Sequence, residues 1–322
     1  MTTDSMMESC ADNACAPVTG LVRAYFAAVN RNLAEPVAFD ASLYGQFDLA
    51  APPAPWVDLG WVDRFTRKSV SRIAVLATGA PAASKTQIRE QLDAIVSLRF
   101  LHWGKLQMAL AAGSEHWNLF ATTVAGGVSS PVALLAGSTA TTLMMSGTDA
   151  ASFHVGQAIA VDLDYAGQTG YIGSGASAAY VQSLSVIQGD VNYIRRVTLN
   201  VGQISAISAN SVQLTEPLLA GDPTSAMQVQ PVAGFMDREG GSFFQEWSAL
   251  FVMQGGEGER IFYNYPRLQA ATGAQETLTP VAGTLERVCL AGEFRAMPVV
   301  DGRDGQSVLC YRSFLPAPGM PL

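Results

Sequence analysis

Charged side chains are scarce in this sequence of 322 residues, because Asp, Glu, Lys and Arg together make up only 14%. About 25% is typical of a soluble domain. Lysine is the rarest of the four, with Lys68, Lys85 and Lys105 as its only examples. The formal net charge of −8 argues against a surface that grips nucleic acid. A surface covered by copies of the same chain would explain both deficits, since interface cores are depleted in lysine. A codon bias towards arginine would also explain the lysine deficit.

Cysteines and long apolar runs are also few. Cys10 and Cys15 lie in a polar N-terminal tail, whereas Cys289 and Cys310 lie in apparent strands. Without a recognisable signal peptide, we expect reduced thiols in a cytoplasm. A single Cys-x4-Cys pair is a poor zinc signal. The apolar stretch at 131–147 is too short for a bilayer and is interrupted by Gly, Ser and Thr, so we expect a soluble protein with no membrane span.

Few residues have the spacing of a catalytic or cofactor site. The three histidines are His102, His116 and His154, and the first two adjoin tryptophans, which favours a packing role. No HExxH pair and no G-x-S-x-G elbow occurs, and the Gly-rich stretch at 170–177 lacks the P-loop lysine and is interpreted as a loop. We therefore predict no catalytic, cofactor-binding or metal-binding residue, and a chain that is not an enzyme.

The remaining charged groups receive structural interpretations. Asp162 and Asp164 are two residues apart on a putative strand, so they share a face that we expect to be solvated. The turn "DREGG" at 237–241 has the same interpretation. Arg195 and Arg196 are the first basic residues after Lys105, and we expect a local salt bridge there.

The N-terminal 55 residues are predicted to be a tail and an arm. Residues 1–16 are polar. The stretch at 18–31, "VTGLVRAYFAAVNR", has apolar residues at helical spacing, although a strand also fits. Three prolines then enforce an extended path in "APPAPWVDLGWVDRFTR" at 51–67. We interpret this as a stiff arm that reaches a neighbouring subunit. Deletion of residues 1–55 should then leave a folded subunit that does not polymerise.

Most of the remaining chain has the alternation of β-strands. The stretch "QLDAIVSLRF" at 91–100 places apolar residues on one face, and "WGKLQMALAAG" at 103–113 then changes to a helical pattern ended by Gly113. The stretch "EWSALFVM" at 246–253 is apolar enough to pack on both sides. "DGRDG" at 301–305 has hairpin-turn chemistry.

From about residue 126 to 232 the composition shifts to Gly, Ala, Ser and Thr, with short strands such as "AIAVDLDY", "IRRVTLNV" and "SVQLTEPL". The predicted fold is therefore mainly β: a β-sandwich with one flanking α-helix, interrupted by an inserted small β-barrel-like domain. The predicted divisions are an arm at 1–55, a main domain at 56–125 and 233–322, and the insertion at 126–232.

The order of these elements resembles the major tail tube proteins of tailed bacteriophages, over roughly residues 50–125 and 232–315. "WVDLGWVDRFTR" is similar to the opening strand of that family. "IAVLATGAPAASKTQIREQLDAIVSLRF" is similar to its next strands, and "WGKLQMALAAG" to the helix beside the sandwich. "RIFYNYPRLQ" and "LAGEFRAMPVVDGRDGQSVLCYRS" are similar to its closing strands. The insertion resembles small β-barrel modules of phage virion proteins.

The resemblance implies a structural virion protein that forms stacked hexameric rings around a lumen for DNA. Implied partners are further copies of the chain, the tape measure, terminator and distal tail proteins, and passing DNA without specific binding. The implied location is the virion tail, with assembly in the host cytoplasm. Alternatives are another virion component, such as a baseplate, terminator or adhesin-like protein, and a β-sandwich carbohydrate-binding module or hydrolase.

Overall fold

A computed structural model describes residues 21–29, 36–37, 39–123, 125–165, 167–174, 176, 179–181, 189–240, 245–256 and 258–317. The chain is mainly β, as predicted, and its large sheets are antiparallel. In chain order the strands are β1 (Val22–Ala28), β2 (Val57–Thr78), β3 (Ala83–Phe100), β4 (Glu115–Phe120), β5 (Val132–Ala133), β6 (Thr142–Met144), β7 (Ala158–Asp162), β8 (Gly170–Ile172), β9 (Ala179–Val181), β10 (Val201–Ser208), β11 (Ser211–Leu214), β12 (Gln228–Arg238), β13 (Glu246–Gln254), β14 (Arg260–Ala270), β15 (Gln275–Ala282), β16 (Leu285–Ala296), β17 (Val299–Val300), β18 (Ser307–Val308) and β19 (Tyr311–Leu315). The α-helices are α1 (Lys105–Ala112), α2 (Gly147–Ala150) and α3 (Tyr193–Val197), and a 3-10 helix spans Ala41–Gln46.

The first sheet has the strand order β15-β16-β3-β2-β1-β13-β14-β19. β14 also pairs with β16, so six of these strands return on themselves and enclose a core. Strand β3 presents Ala94, Val96, Leu98 and Phe100 to that core, which confirms the alternation in the sequence. Strand β13 is buried on both sides, because Phe251 packs into the core and Leu250 packs into a second apolar cluster.

Helix α1 flanks this sheet, as predicted. It buries Ala109, Leu110 and Ala111 in the core and ends at Gly113, whose φ is +61°. A Cβ at Gly113 would lie 2.6 Å from the Cβ of Ala270, so the close approach of helix and strand also requires glycine there. The turn at 301–305 joins β17 and β18, with the Gly305 N–H bonded to the Asp301 carbonyl at 2.8 Å.

The helical interpretation of the first apolar segment is wrong, because residues 22–28 form a strand. Tyr25, Phe26 and Ala27 are all fully buried, since β1 is covered on both faces. A strand covered on both faces has a continuous apolar run, and periodicity alone does not separate such a run from a buried helix.

The N-terminal 55 residues are therefore not an arm as a whole. β1 pairs with β2 on one side and with β13 on the other, so it is a central strand of the first sheet. The proline run forms a surface turn in which the Trp56 N–H bonds to the Pro53 carbonyl at 3.0 Å. Trp56 is buried against Phe47, whose ring centroid lies 6.1 Å from that of Trp56. The tail at 1–16 lies outside the described residues.

The second sheet is built from the chain between α1 and β13. Its order is β4-β12-β7-β10-β11-β6, with β5 also paired to β12. The N–H of Leu135, just after β5, bonds to the carbonyl of Met144 in β6 at 2.8 Å, so this sheet also returns on itself. Its core contains Leu143, Ile159 and Val212. The predicted limits at 126 and 232 fall inside this sheet, which spans residues 115–238.

We call residues 115–238, which contain the second sheet, the second unit. One of its predicted strands is partly helical. The stretch "IRRVTLNV" at 194–201 contains most of α3, and only Val201 belongs to strand β10. Ile194 and Val197 are three residues apart and both are buried, so this face of a short helix covers the sheet.

Candidate assembly surfaces

Strands β2 and β3 extend far beyond their neighbours as a two-stranded hairpin. Every residue from 68 to 91 is exposed except Ala74, which is half-buried. We call residues 68–91 the arm from here on; this hairpin is separate from the N-terminal arm predicted at 1–55. The pairing of its strands runs from Ser69 opposite Ala94 to Thr78 opposite Ala83, so the projection is about 30 Å long. Two-stranded hairpins are at best marginally stable alone in water, so we expect a partner to cover the arm.

The arm has apolar side chains on both faces. Ile73 is opposite Arg89 and Val75 is opposite Gln87, so these four side chains share one face. Ala74, opposite Ile88, and Leu76, opposite Thr86, share the other face. The large apolar side chains are at least half exposed, and they are Val70, Ile73, Val75, Leu76 and Ile88. A contact on one face alone would therefore leave apolar surface in water.

The arm is also basic. It contains Lys68, Arg72, Lys85 and Arg89 against the single acid Glu90, which gives a charge of +3. Subtracting +3 from the total of −8 leaves −11 for the remainder of the chain. Arg72 pairs with Glu90 at 3.2 Å on the arm itself. Lys85 and Arg89 make no ion pair within the part of the chain that the structure describes. The arm therefore has the opposite charge to the rest of the chain.

Strands β15 and β16 form a second exposed hairpin. Residues 275–288, which we call the short hairpin, are all exposed except Thr279. Leu278 and Val288 are opposite each other and share a face. Leu278, Val281 and Leu285 are each more than 60% exposed. The arm and the short hairpin together contain nine of the 21 large apolar side chains that are exposed among the described residues, so the apolar surface is concentrated on them.

The two hairpins point to opposite ends of the first sheet. β3 runs from the tip of the arm to Phe100, and β16 runs antiparallel to it, with Arg295 opposite Ile95 and Leu290 opposite Phe100. The residues of β16 before Leu290 therefore lie beyond the end of β3, away from the tip of the arm. The basic arm therefore projects from one end of the first sheet, and the short hairpin projects from the other end.

The strand order also leaves two edges. β15 and β19 are the outermost strands of the first sheet among the described residues. β19 is partly exposed, and Phe314 on it is 37% exposed. Edge strands with unpaired backbone groups are able to pair with another chain. Strand order depends on which distant segments pair, so local patterns in the sequence do not identify β15 and β19 as the edge strands.

The junction between the two sheets holds a buried polar cluster. The Lys105 ammonium at the start of α1 donates to Asn118 Oδ1 at 2.6 Å and to the Thr198 carbonyl. Burial lowers the pKa of Lys105 to about 7. His116 is buried beside it, and burial followed by the charge of Lys105 lowers the His116 pKa to about 3. The expected packing role of His116 agrees with this burial, whereas His102 and His154 are exposed.

The prediction of a solvated face for Asp162 is wrong. Asp162 is fully buried and accepts hydrogen bonds from the Ser174 N–H and hydroxyl, both at 2.8 Å. Burial raises its pKa in spite of these bonds. Period-two spacing places side chains on one face of a strand but does not say whether α3 or solvent covers that face.

Arg195 and Arg196 both form ion pairs, as predicted. The guanidinium of Arg195 is fully buried and bonds to Asp164, to Gln228 and Gln230 at 3.0 Å each, and to Asn192. Arg196 pairs with Asp190 at 2.7 Å nearer the surface. Asp237 and Arg238, predicted as part of a "DREGG" turn, are the last residues of β12; Asp237 accepts from the Ser114 hydroxyl at 2.9 Å and Arg238 pairs with Glu115. These groups connect elements around the second sheet.

A surface groove of about 720 Å³ runs between residues 36, 37 and 39–41 on one side and strands β14 and β19 on the other. Its charged groups have local partners, since Asp301 pairs with Arg303 at 2.6 Å and accepts from the Tyr311 hydroxyl at 2.9 Å, and Asp40 accepts from the Ser42 hydroxyl at 2.7 Å. Within the described ranges, no three His, Cys, Asp or Glu side chains are grouped as a metal would require. Among the same residues, no helix is long and apolar enough to cross a membrane.

The candidate functional surfaces are therefore the two hairpins and the two sheet edges. Of these surfaces, the sequence predicts the two strands of the arm but not their exposure. No protein-family model matches this chain, and no curated protein matches it.

Proposed function

We propose that this chain is the self-assembling subunit of a phage-type tail tube. In this proposal, six copies close a ring through their sheet edges, and the rings stack into a tube that conducts DNA during ejection. The observation that carries the proposal is the arm: a projection about 30 Å long with apolar side chains on both faces and no cover from the residues that the structure describes. Such a surface fits a subunit whose native environment is an assembly.

The charge and the strand order support the same function. Removing the arm from the count leaves a charge of −11, which suits a lumen that repels DNA phosphates. Large interfaces between copies account for the low charged fraction. The edges β15 and β19 offer strands for lateral pairing around a ring. The second sheet, at 115–238, is too large for a DNA-wide lumen, so we place it outside the tube.

The resemblance noted in the sequence supplies the remaining expectations. The tape measure, terminator and distal tail proteins would contact the ends or the lumen of the tube. Passing DNA would make no specific contact. The protein would be located in the virion tail after assembly in the host cytoplasm, and it would not be an enzyme.

Negative-stain electron microscopy of the purified chain tests the proposal. The wild-type chain should form long hollow tubes. A variant in which Asn-Gly replaces residues 72–91 should not, because Ser71 and Leu92 are opposite each other and a two-residue turn can join them. That variant should keep a mainly β circular dichroism spectrum and a melting temperature within about 4 °C, since none of the deleted residues lies in a core cluster.

Two results would contradict the proposal. One is a wild-type chain that stays monomeric at high concentration, which would favour the carbohydrate-binding or hydrolase alternative. The other is a wild-type chain that forms only discrete rings, which would favour a baseplate or terminator component.

A further inference from the structure

The proposed tube needs an axial contact, and the two hairpins provide candidates for both of its sides. We infer that the arm of one copy docks on the short hairpin of the next copy along the strand direction. This inference rests on the proposed function and names the surface that receives the arm. It starts from the register, which places the tip of the arm and the turn of the short hairpin at opposite ends of the sheet.

The apolar surfaces of the two hairpins are complementary in kind. The arm presents Ile73 and Val75 on one face, and the short hairpin presents Leu278 and Val288 together on one of its faces. Each set is substantially exposed within a single copy. Contact between them removes both sets from water, whereas burial within the copy is prevented by their positions at opposite ends.

The charges of the two hairpins are opposite in sign. Lys85 and Arg89 on the arm have no ionic partner within the described ranges. The short hairpin has Glu276 and Glu286 against the single base Arg287, which gives −1 against the +3 of the arm. Both glutamates are exposed, and neither has an ion pair in the described part of the chain. Docking therefore brings opposite charges together, whereas arm-to-arm contact brings +3 against +3.

The contact is heterologous, because it joins two unlike surfaces. When two copies point the same way, the first contact leaves one arm free at one end and one short hairpin free at the other. The same contact therefore repeats and produces an open, head-to-tail polymer. The proposed lateral contact with β19 uses the backbone edge of β15, whereas this axial contact uses the side chains on a face of the short hairpin.

The test uses two variants that each block one side of the contact. The arm-blocked variant is Ile73→Asp with Ile88→Asp, and the hairpin-blocked variant is Leu278→Asp with Leu285→Asp. The matched control is Val155→Asp with Val191→Asp, since these valines are also more than 60% exposed but belong to the second unit. All the changes lie at exposed positions, and circular dichroism of each variant checks that it folds.

Sedimentation and electron microscopy should show tubes for the wild type and for the control. Each blocked variant alone should stop at the ring or monomer. An equimolar mixture of the two should form pairs and nothing longer, because the intact arm of one variant finds the intact short hairpin of the other. Such a mixture has one functional axial contact for every two units.

The outcomes separate the docking from the proposed function. Tubes from either blocked variant, or a mixture that forms no pairs, would overturn the docking while wild-type tubes still support the tube function. A wild-type chain that stops at a dimer would overturn both, because a closed pair is neither a tube nor a head-to-tail polymer. Wild-type filaments that are one subunit wide and have no lumen, together with pairs in the mixture, would support the docking and overturn the hollow tube.

Discussion

At the scale of single residues, two adjacent arginines allow the contribution of a buried ion pair to the free energy of unfolding to be compared with that of a surface pair. Arg195 is fully buried and bonds to Asp164 and three amide side chains, whereas Arg196 is 25% exposed and pairs with Asp190. Arg195→Ala should lower the free energy of unfolding by about 3 kcal/mol, because buried polar partners lose their donor. Arg196→Ala should lower it by less than about 1 kcal/mol.

Urea unfolding of both variants, followed by circular dichroism, measures this difference. Equal losses would show that the network around Arg195 contributes no more than a surface pair. Both arginines lie in α3, so replacement by alanine changes the helix propensity by the same amount in the two variants.

Lys105 gives a prediction for pH. Burial lowers its pKa to about 7 in the folded chain, whereas lysine in an unfolded chain has a pKa of about 10.4. Between these values the unfolded chain binds more protons at Lys105 than the folded chain does. The contribution of Lys105 to the free energy of unfolding should therefore rise with pH from about 7 to about 10.

Lys105→Met removes this titration, so it serves as the reference. Denaturant unfolding of the wild type and of the variant at pH 7 and pH 9 gives the difference between their pH dependences. A difference that falls or stays flat over this interval would contradict the lowered pKa. Other groups titrate alike in both chains and cancel.

Strand β1 changes the expected effect of an N-terminal deletion at the scale of elements. Deletion of residues 1–55 removes a central strand and the segment around Phe47 that covers Trp56. We now expect the truncated chain to be unfolded, because β2 and β13 would lose their common partner. Circular dichroism and limited proteolysis test this expectation, and a folded truncated chain with a cooperative melting transition would contradict it.

Elements with regular alternation were predictable from the sequence. The strand at 91–100, the helix at 105–112 with its C-terminal glycine, and the turn at 301–305 each follow from local spacing and turn chemistry. β1 and α3 were not, because burial on both faces hides the period of a strand and a five-residue helix has barely more than one turn. The two strands of the arm are predicted from the sequence, but their exposure depends on where β1 stops pairing with β2 and β16 stops pairing with β3.

The second unit is expected to be dispensable for assembly at the scale of the whole molecule. The Gly113 carbonyl and the Gln245 N–H are 3.4 Å apart, so a short turn can replace residues 115–243. A variant with Asn-Gly in their place should still form tubes, with a smaller outer diameter. Its melting temperature should be lower, because Leu199 of the second unit packs against the first core.

Class averages of negatively stained tubes measure the outer diameter directly. A folded excision variant that no longer assembles would show that the second unit takes part in the wall of the tube. Tubes with an unchanged outer diameter and a wider lumen would place the second unit inside.

The sequence by itself determined the mainly β character, the flanking helix, the low charge and the position of the insertion to within about a dozen residues. These follow from composition and from periods of two or 3.6 residues, which are local properties. Only the tertiary structure decided that β1 is central, that Asp162 is buried, and that two apolar hairpins project from opposite ends of one sheet. Those features depend on which distant strands pair and where the pairing stops, and local patterns contain no record of such long-range partners.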